Sequence, residues 1–302
     1  MTRLTRSMLF VPAVRWPMIE KAAASAADAV CIDLEDSVPF DQKIAARANV
    51  ARAFRELDFG RRVRIFRMNA LDTQLAYRDV IEVVEAAGDR MDLIMLPKVG
   101  RPRDVEFVET LLAQIGTPHV GIEAQIETAS GFLYAREIAE CSARLEALIF
   151  GPGDYSASMQ MPASSIGEFD EHDALYPGHR WHAVMHTIVA AAHANGLRAM
   201  DGPFAALKDA AAFERSAQVA RAMGFDGKQC IHPNQLETAN RLFSPTAAEV
   251  SHAERIMQAY ELAAANGRGA VNLDGRMIDA ANIRMARMVL ERKKLGEGVK
   301  LG

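Results

Sequence analysis

An eight-stranded β/α barrel with a C-terminal extension is the fold class that the sequence predicts. Eight short runs of apolar and β-branched residues alternate with amphipathic stretches over about 240 residues, which is the size and pattern of a (β/α)8 TIM barrel. Several runs are almost continuously apolar, as expected of parallel strands that are buried on both faces. A polar residue also ends nearly every run. Barrel enzymes collect functional groups at the carboxyl ends of all their strands, whereas the rival fold, an open doubly wound sheet, concentrates them at one switch point.

The elements follow from these patterns in chain order. The predicted strands cover residues 8–12, 29–35, 62–68, 92–99, 119–127, 147–154, 197–203 and 227–233. The stretches between them predict helices, and glycines stand where four of those helices should end, in the position that favours a left-handed backbone: Gly88, Gly116, Gly196 and Gly224. The polar residues at the strand ends are Glu35, Asp36, Arg67, Asn69, Lys98, Glu127, Asp154, Asp201 and His232.

Two segments do not fit the simple alternation. Residues 156–180 are too long and irregular for an ordinary connection, and loops of this length are commonly active-site lids. We expect the barrel to span residues 1–242 and an extension to span residues 243–302. The extension should contain a helix closed by Gly267, a hairpin with Asp274-Gly275 as its turn, and a final helix. It must pack on the barrel, on a neighbouring subunit or on both.

Composition and charge argue against a nucleic-acid-binding, secreted or membrane-spanning protein. Lys and Arg number 35 against 39 Asp and Glu, and no basic block suggests a nucleic-acid partner. The three cysteines, Cys31, Cys141 and Cys230, are far apart and form no CxxC motif, which favours a reducing compartment. The N-terminal apolar run is too short for a signal peptide and no segment has transmembrane length. We therefore expect a cytoplasmic protein with no membrane partner.

Glu127 and Asp154 are the strongest candidates for a functional site. Glu127 ends one apolar run, and the next run leads through Gly-Pro-Gly into Asp154. If these strands are parallel neighbours, both carboxylates lie at the same edge of the sheet. Two oxygen ligands that leave room for water and substrate suit Mg²⁺, with Mn²⁺ as an alternative. Alternatively, Glu127 caps the helix that begins at Thr128 and Asp154 is a turn residue, but their occurrence together on consecutive strands favours the metal.

Three further groups of residues carry weaker signals. Arg67 lies at a strand end and is predicted to bind an anion, because guanidinium offers a rigid fork of donors that stays charged. Alternation alone does not decide between Arg64 and Arg67. The acids of residues 32–38 either orient metal-bound water or cap the following loop. Lys228 either belongs to a positively charged rim that would suit phosphates or is a surface residue.

The sequence also resembles a known family. Matching stretches run in order along nearly the whole chain and include RSMLFVPA, RMNALDTQLAYRDV, LPKVG, IETASG, GPGDYSAS, GFDGKQCIHPNQ and GRGAVNLDGRMIDAANIRMA. They resemble the citrate lyase β-subunit-like acyl-CoA lyases of the HpcH/HpaI aldolase superfamily, most closely the members that cleave malyl-CoA and β-methylmalyl-CoA. The resemblance implies a TIM barrel with a C-terminal extension, assembled as a homotrimer or homohexamer.

The resemblance assigns roles residue by residue. It implies that Glu127 and Asp154 bind Mg²⁺, that Arg67 is catalytic, and that Asp279 is supplied by the extension of a neighbouring subunit. The residues themselves do not distinguish Asp279 from Asp274.

The implied reaction is a reversible cleavage of a 3-hydroxyacyl-CoA into acetyl- or propionyl-CoA and glyoxylate or pyruvate. The coenzyme phosphates would contact Arg15 and Lys21. Alternatives within the same chemistry are a citrate lyase β-subunit that acts on an acyl-carrier thioester, a malyl-CoA thioesterase, and an aldolase that uses pyruvate without CoA. The loop after Asp154 departs from the family pattern, which leaves the choice of substrate open.

Overall fold

The computed structural model describes residues 3–162, 165–173, 175–176, 180–265 and 271–298, without the side chains of residues 265 and 271. The chain divides into two compact units, one of which is Thr5–Asn240. In that unit eight parallel strands follow one another around a closed barrel, and β1 pairs with both β2 and β8. They are β1 (Ser7–Pro12), β2 (Ala29–Asp33), β3 (Val63–Arg67), β4 (Leu93–Leu96), β5 (Gly121–Ile126), β6 (Leu145–Phe150), β7 (Arg198–Asp201) and β8 (Gly227–Cys230).

The predicted barrel is confirmed, and the open sheet is wrong. Several predicted strands are too long at their carboxyl ends. In the structure these strands end earlier, and the polar residues that follow them belong to the segments at the edge of the barrel. The α-helices are α1 (Trp16–Ala23), α2 (Lys43–Glu56), α3 (Ala76–Ala87), α4 (Pro102–Ile115), α5 (Ala129–Leu133), α6 (Ala135–Glu140), α7 (Pro152–Ser158), α8 (His182–Ala194), α9 (Ala210–Met223), α10 (Leu236–Leu242), α11 (Ala247–Ala265) and α12 (Ala280–Gly296).

The interior of the barrel contains an apolar cluster formed by alternate residues of the strands, together with the buried ion pair of Arg198 and Glu123. The buried members of the cluster are Met8, Ala29, Cys31, Val63, Ile65, Leu93, Met95, Ala147, Ile149 and Met200. Side chains two residues apart on a strand share a face. Asp33 therefore follows Cys31, and Arg67 follows Ile65, on the face that points into the barrel. The apolar cluster thus lies directly beneath the polar side chains at the carboxyl edge of the barrel.

Three of the four predicted helix-ending glycines have the expected left-handed backbone. The φ angles of Gly116, Gly196 and Gly224 are 86°, 68° and 104°. Gly88 is different, since its φ is −59° and the chain continues into a short 3₁₀ helix. A Cβ atom at position 88 would lie 3.0 Å from the Val84 side chain and 3.1 Å from that of Thr117, so close packing, and not backbone conformation, favours glycine there.

The residues from Arg241 onward form most of the second compact unit. Its core contains Ala253, Ile256, Ile278, Ile283 and Ala286. The predicted hairpin is confirmed as β9 (Val271–Leu273) and β10 (Arg276–Ile278), joined by Asp274 and Gly275, whose φ angles of 53° and 79° are those of a tight two-residue turn. The predicted end of α11 at Gly267 lies outside the described residues.

Across the described residues, no helix combines the length and apolar character needed to cross a bilayer.

Candidate active site

Glu127 stands at the carboxyl edge of the barrel, one residue after β5 ends. The helix that follows is capped by Thr128, whose hydroxyl accepts a hydrogen bond from the Gly131 N–H at 2.9 Å. The alternative in which Glu127 caps that helix is therefore wrong, and its carboxylate is available for another role. Glu127 is 1% exposed, and its Oε1 accepts a hydrogen bond from the Lys98 backbone N–H at 2.8 Å.

Gly151, which directly follows the neighbouring strand β6, leaves room for the Glu127 side chain. Ile126 and Phe150 are register partners, and the Gly151 N–H donates to the Ile126 carbonyl at 3.3 Å. A Cβ atom at position 151 would lie 2.1 Å from Glu127 Oε2 and 2.5 Å from Glu127 Cβ. Any side chain at this position would push Glu127 aside.

Asp154 lies on α7 rather than at a strand end, because Pro152 starts the helix immediately after Gly151. An acid in the first turn is favoured by the partial positive charge of a helix N-terminus. The Asp154 side chain is 39% exposed, and its Oδ1 lies 3.6 Å from Lys98 Nζ. The structure brings Asp154 and Glu127 to the same edge of the barrel, on consecutive strand–loop units.

Arg67 is held rigidly by two carboxylates from β2 and the loop that follows it. Its Nε and Nη2 donate to the two oxygens of Asp33 at 2.7 and 2.8 Å, and its Nη1 lies 2.9 Å from Glu35 Oε2. Arg64, in contrast, pairs with Asp92 on the outer side of the sheet. Guanidinium carries five N–H donors. These three contacts therefore leave Arg67 donor capacity for a substrate oxygen.

The same pairing fixes the charge states of Arg67 and Asp33. Burial disfavours both charges, but the carboxylates of Asp33 and Glu35 more than offset it and raise the pKa of Arg67. For Asp33, burial is outweighed by the Arg67 charge and hydrogen bonds, with Ser37 adding a further bond, so that its pKa falls to about 2. Both side chains are therefore charged at neutral pH. Of the two roles predicted for the acids of residues 32–38, Asp33 has the loop-capping one, since it accepts the Glu35 and Ser37 N–H groups. The orientation of metal-bound water by these acids stays a prediction.

Lys98 is a site residue to which the sequence patterns gave no role beyond its place at a strand end. Its φ is 53°, in the left-handed region that costs a residue other than glycine roughly 1–3 kcal/mol. This conformation directs its N–H to Glu127, while its ammonium contacts Glu35 Oε1 and lies 3.5 Å from Asp36 Oδ2. Burial opposes the charge of Lys98, but the hydrogen bond and charge of Glu35 raise its pKa overall. Together with the contact to Asp154, Lys98 thus contacts acids that follow three different strands, β2, β5 and β6.

The electrostatics of this site suit a divalent cation. Burial raises the pKa of Glu127 to about 8, and the charges of Glu35 and Asp154 add to the effect while Arg67 opposes it. The interacting groups comprise five carboxylates and three cations: Asp33, Glu35, Asp36, Glu127, Asp154, Arg67, Lys98 and Lys43. When all five acids and all three cations are charged, two negative charges remain uncompensated. A cation of charge +2 would neutralise them and restore the ordinary acidity of Glu127.

The donor set also fits Mg²⁺. In the described part of the chain, no three His, Cys, Asp or Glu side chains are placed to enclose a metal ion. Glu127 and Asp154 would supply two carboxylate ligands, and water and substrate would supply the rest. Mg²⁺ is commonly bound in this way, through one or two carboxylates, because it keeps several waters.

The predicted phosphate rim at Lys228 is wrong. Lys228 is 2% exposed, and its ammonium contacts the Asp201 carboxylate, the Gly202 carbonyl at 2.8 Å and the Ser216 hydroxyl at 3.2 Å. Its side chain is buried beside Phe213 of α9. Lys228 is thus neither a rim residue nor a surface residue, but part of the packing between β8 and α9.

Arg15 and Lys21 are both exposed. Arg15 directly precedes α1, at the edge where β1 ends, whereas Lys21 lies in the last turn of that helix. Arg15 is therefore the nearer of the two to the carboxyl edge of the barrel.

Asp279 belongs to the second compact unit, where it caps α12. Its Oδ1 accepts hydrogen bonds from the Ala281 and Asn282 N–H groups at 2.9 and 3.3 Å. Its own N–H donates to Asn282 Oδ1 at 3.0 Å, which completes a capping box. Asp274 is engaged differently, since its carboxylate pairs with Arg255 at 2.6 Å.

The segment predicted to be a lid is anchored beside α7. A Cβ atom at Gly153 would lie 3.3 Å from Ile166 Cγ1, and the Ile166 carbonyl accepts the Ala205 N–H at 3.0 Å. Arg180 ties the segment together through Asp170 at 3.1 Å and Asp173 at 3.0 Å. Its described residues therefore lie next to the helix that carries Asp154.

Comparison with known proteins places this site in a family context. The family model for HpcH/HpaI aldolase/citrate lyase matches residues 6–233. An L-malyl-CoA/beta-methylmalyl-CoA lyase of Cereibacter sphaeroides is 40% identical over 304 residues, which cover 97% of this chain and 96% of that protein. A (3S)-malyl-CoA thioesterase of the same species is 38% identical over 285 residues, covering 94% of this chain and 93% of the relative.

A solved structure agrees with these matches. The crystal structure of protein CitE from Mycobacterium tuberculosis in complex with magnesium, acetoacetate and coenzyme A has a TM-score of 0.76 and 30% sequence identity. The alignment covers 95% of this chain and 97% of that one. The similarity thus extends beyond the barrel to almost the entire chain.

Proposed function

The chain belongs to the HpcH/HpaI aldolase/citrate lyase family, and on that premise we propose that it is a Mg²⁺-dependent carbon–carbon lyase acting on a 3-hydroxyacyl-CoA. The proposed substrates are malyl-CoA, β-methylmalyl-CoA or citramalyl-CoA. The products are acetyl- or propionyl-CoA together with glyoxylate or pyruvate.

The observation that carries the proposal is the pair of acids beside a clamped arginine. Glu127 is buried at the barrel edge with its pKa raised to about 8, first by burial and then by neighbouring acids. Arg67 lies close enough for its charge to lower the pKa of Glu127, in opposition to burial. It also keeps N–H donors for a substrate oxygen. An oxo acid offers a carboxylate and a carbonyl oxygen, which match a divalent cation and a guanidinium.

Cleavage of malyl-CoA requires three changes that must balance. The hydroxyl group loses its proton, the bond between the hydroxyl-bearing carbon and the carbon next to the thioester breaks, and that second carbon gains a proton. When bound by Glu127 and Asp154, Mg²⁺ would supply a Lewis acid and a template for the oxygens of the oxo-acid end.

Arg67 is proposed to stabilise negative charge on the reacting oxygen. Its fork of donors is fixed by Asp33 and Glu35, so no reorganisation is needed when charge develops. Rigid, preorganised donors of this kind act more strongly in a buried site than in water.

Asp279 is proposed to exchange the proton at the carbon next to the thioester, acting from the extension of a neighbouring subunit in a homotrimer or homohexamer. A base must remove that proton in the condensation direction and return it in cleavage. Because Oδ1 is hydrogen-bonded to the first turn of α12, the orientation of the carboxylate is fixed by the helix.

The coenzyme is proposed to lie across the barrel edge near α1, with Arg15 and Lys21 binding its phosphates. The exposed position of Arg15 at the end of β1 supports its part in this proposal more strongly than the position of Lys21 does.

The test is an assay of purified protein with Mg²⁺ and three thioesters in parallel: malyl-CoA, β-methylmalyl-CoA and citramalyl-CoA. A lyase releases glyoxylate or pyruvate and leaves the thioester bond intact, so oxo acid accumulates while free thiol does not. Failure to release oxo acid from any of the three, with the protein folded and Mg²⁺ present, would refute the proposal.

The second candidate is a thioesterase, which the 38% identical malyl-CoA thioesterase favours. Hydrolysis yields malate and free CoA thiol without glyoxylate. The same assay therefore separates the two functions by the ratio of thiol to oxo acid, without further reagents.

A further inference from the structure

Lys98 brings a positive charge close to a proposed metal ligand. Its ammonium lies 3.6 Å from Asp154 Oδ1, contacts Glu35 Oε1, and lies 3.5 Å from Asp36 Oδ2. Its backbone N–H donates to the other proposed ligand, Glu127, at 2.8 Å. One residue thus contacts both acids that would hold the cation.

The backbone conformation of Lys98 and the contacts of its side chain fix the position of this ammonium, so it is not a freely rotating surface group. The left-handed backbone of Lys98, with φ at 53°, directs the residue over the barrel edge. Its side chain is 27% exposed, and its main partner Glu35 is 5% exposed. Lys43 in turn fixes Glu35, since its ammonium donates to the Leu34 and Glu35 carbonyls and to Asn69 Oδ1.

We propose that the Lys98 ammonium is an internal competitor of the metal ion, which neutralises Asp154 and Glu35 when no metal is bound and thereby lowers the affinity of the site for divalent cations. The inference rests on the proposed function, because it takes Glu127 and Asp154 as the metal ligands. A cation so near a carboxylate attracts it, and it also repels an incoming divalent cation; both effects oppose metal binding.

Removing the Lys98 charge should change the affinity for the metal ion in opposite directions, depending on whether Lys98 competes with the ion or only supports the site. If Lys98 only held the site together, its removal would loosen Asp154 and Glu35 and weaken metal binding. If it competes, removal of the charge must strengthen metal binding, while turnover falls because Glu35 loses a partner that holds it against Arg67.

The experiment is calorimetric titration of Mg²⁺ into the metal-free full chain. Lys98→Met keeps most of the aliphatic stem and removes the charge, and Lys98→Gln serves as a second neutral variant should the first fail to fold. Lys98→Arg keeps the charge. Lys208→Met is the matched control, because Lys208 is an exposed lysine on the loop after β7. Circular dichroism checks that each variant is folded.

We expect the Kd for Mg²⁺ to fall on the order of tenfold in Lys98→Met and Lys98→Gln, and to stay near the original value in Lys98→Arg and Lys208→Met. An unchanged or weaker affinity in both neutral variants would overturn the inference while leaving the metal site intact. If the unmodified chain binds no Mg²⁺, or if Glu127→Gln binds it as tightly as the unmodified chain does, the proposed function itself fails.

Discussion

Lys98 and Gly151 fix the position of Glu127. Lys98 does so by its charge and by a backbone hydrogen bond, and Gly151 does so because it has no side chain. The Lys98 N–H holds Oε1, and Gly151 leaves the volume that the rest of the carboxylate occupies. The backbone of Gly151 has a negative φ, so glycine is required here for space and not for backbone conformation. The site therefore depends on a residue that can take no part in the chemistry.

Gly151→Ala should disable the site without removing any candidate ligand. The new Cβ would lie 2.5 Å from Glu127 Cβ, so Glu127 must move away from its position beside Asp154. We expect a loss of Mg²⁺ affinity and of turnover of about tenfold or more, since small misplacements of reacting groups have large effects. Calorimetric Mg²⁺ titration and the oxo-acid assay measure both.

Gly100→Ala is the matched control for this change. A Cβ atom at position 100 would be 3.6 Å from its nearest neighbours, which is ordinary contact, and the loop belongs to the same edge of the barrel. If Gly151→Ala binds Mg²⁺ as tightly as Gly100→Ala does, the packing argument for Glu127 is wrong.

The buried pair of Asp33 and Arg67 makes stability depend on pH. The pKa of Asp33 is about 2 in the folded protein, below its unfolded value of about 3.9. The unfolded chain therefore binds the proton more readily, and the stabilisation is present above pH 4 and is lost as the pH falls towards 2. Between pH 7 and pH 3 this one group should remove about 1 kcal/mol from the free energy of unfolding.

Urea unfolding of the unmodified chain and of Asp33→Asn at both pH values measures this contribution. The other acids titrate in both proteins and cancel in the comparison. The asparagine variant should be less stable at pH 7 and should lose about 1 kcal/mol less on acidification. Parallel losses in the two proteins would show that Asp33 does not carry the effect.

At the scale of elements, helix caps decide which acids are available for chemistry. Thr128 caps α5 and leaves Glu127 to the barrel edge, and Pro152 starts α7 so early that Asp154 falls in the first helical turn. The sequence motif Gly-Pro-Gly-Asp is therefore a helix start and not the end of a strand. The predicted position of Asp154 at the carboxyl edge is confirmed, the predicted strand end is wrong, and its role as a metal ligand stays a prediction.

Asp279 combines a cap and a proposed base, and the two roles can be separated. Asparagine is as good an N-cap as aspartate, whereas alanine is not. Asp279→Asn should therefore unfold at nearly the original temperature yet lose turnover, with Mg²⁺ affinity retained. Asp279→Ala should lose turnover and also about 1 kcal/mol of helix or protein stability. Thermal unfolding and the oxo-acid assay distinguish the two variants.

Mixing of subunits tests whether Asp279 acts across an interface. Asp279→Asn and Glu127→Gln are each expected to be inactive alone. If a site takes its base from a neighbouring subunit, dissociating and reassociating a mixture of the two variants restores part of the activity. No recovery, with mixed oligomers verified, would contradict the shared site, as would full turnover by Asp279→Asn alone.

At the scale of the whole molecule, the sequence was sufficient for the barrel and for placing three candidate site residues at its carboxyl edge. Strand and helix periodicities determined all eight strands, and the carboxyl ends of those strands pointed to Glu127, Asp154 and Arg67. The position after a strand is a strong signal because a closed parallel barrel directs all such positions to one edge.

The remaining site residues depend on information that periodicity does not carry. Asp33 and Arg67 are register partners at the ends of β2 and β3, and this acid–base pairing was a signal that could have been found. The left-handed backbone of Lys98 has no signature in its residue type, since lysine rarely adopts it. Lys228 was misjudged because the outer face of β8 is covered by α9, which the strand alone cannot show.

Calorimetric titration of Mg²⁺ into the unmodified chain, Glu127→Gln and Asp154→Asn tests the central claim most directly. We predict one Mg²⁺ per chain in the unmodified protein and a loss of affinity of at least about tenfold in each variant, with circular dichroism unchanged, because each variant removes one of two protein ligands. Binding of Mg²⁺ by both variants as tightly as by the unmodified chain would contradict the account.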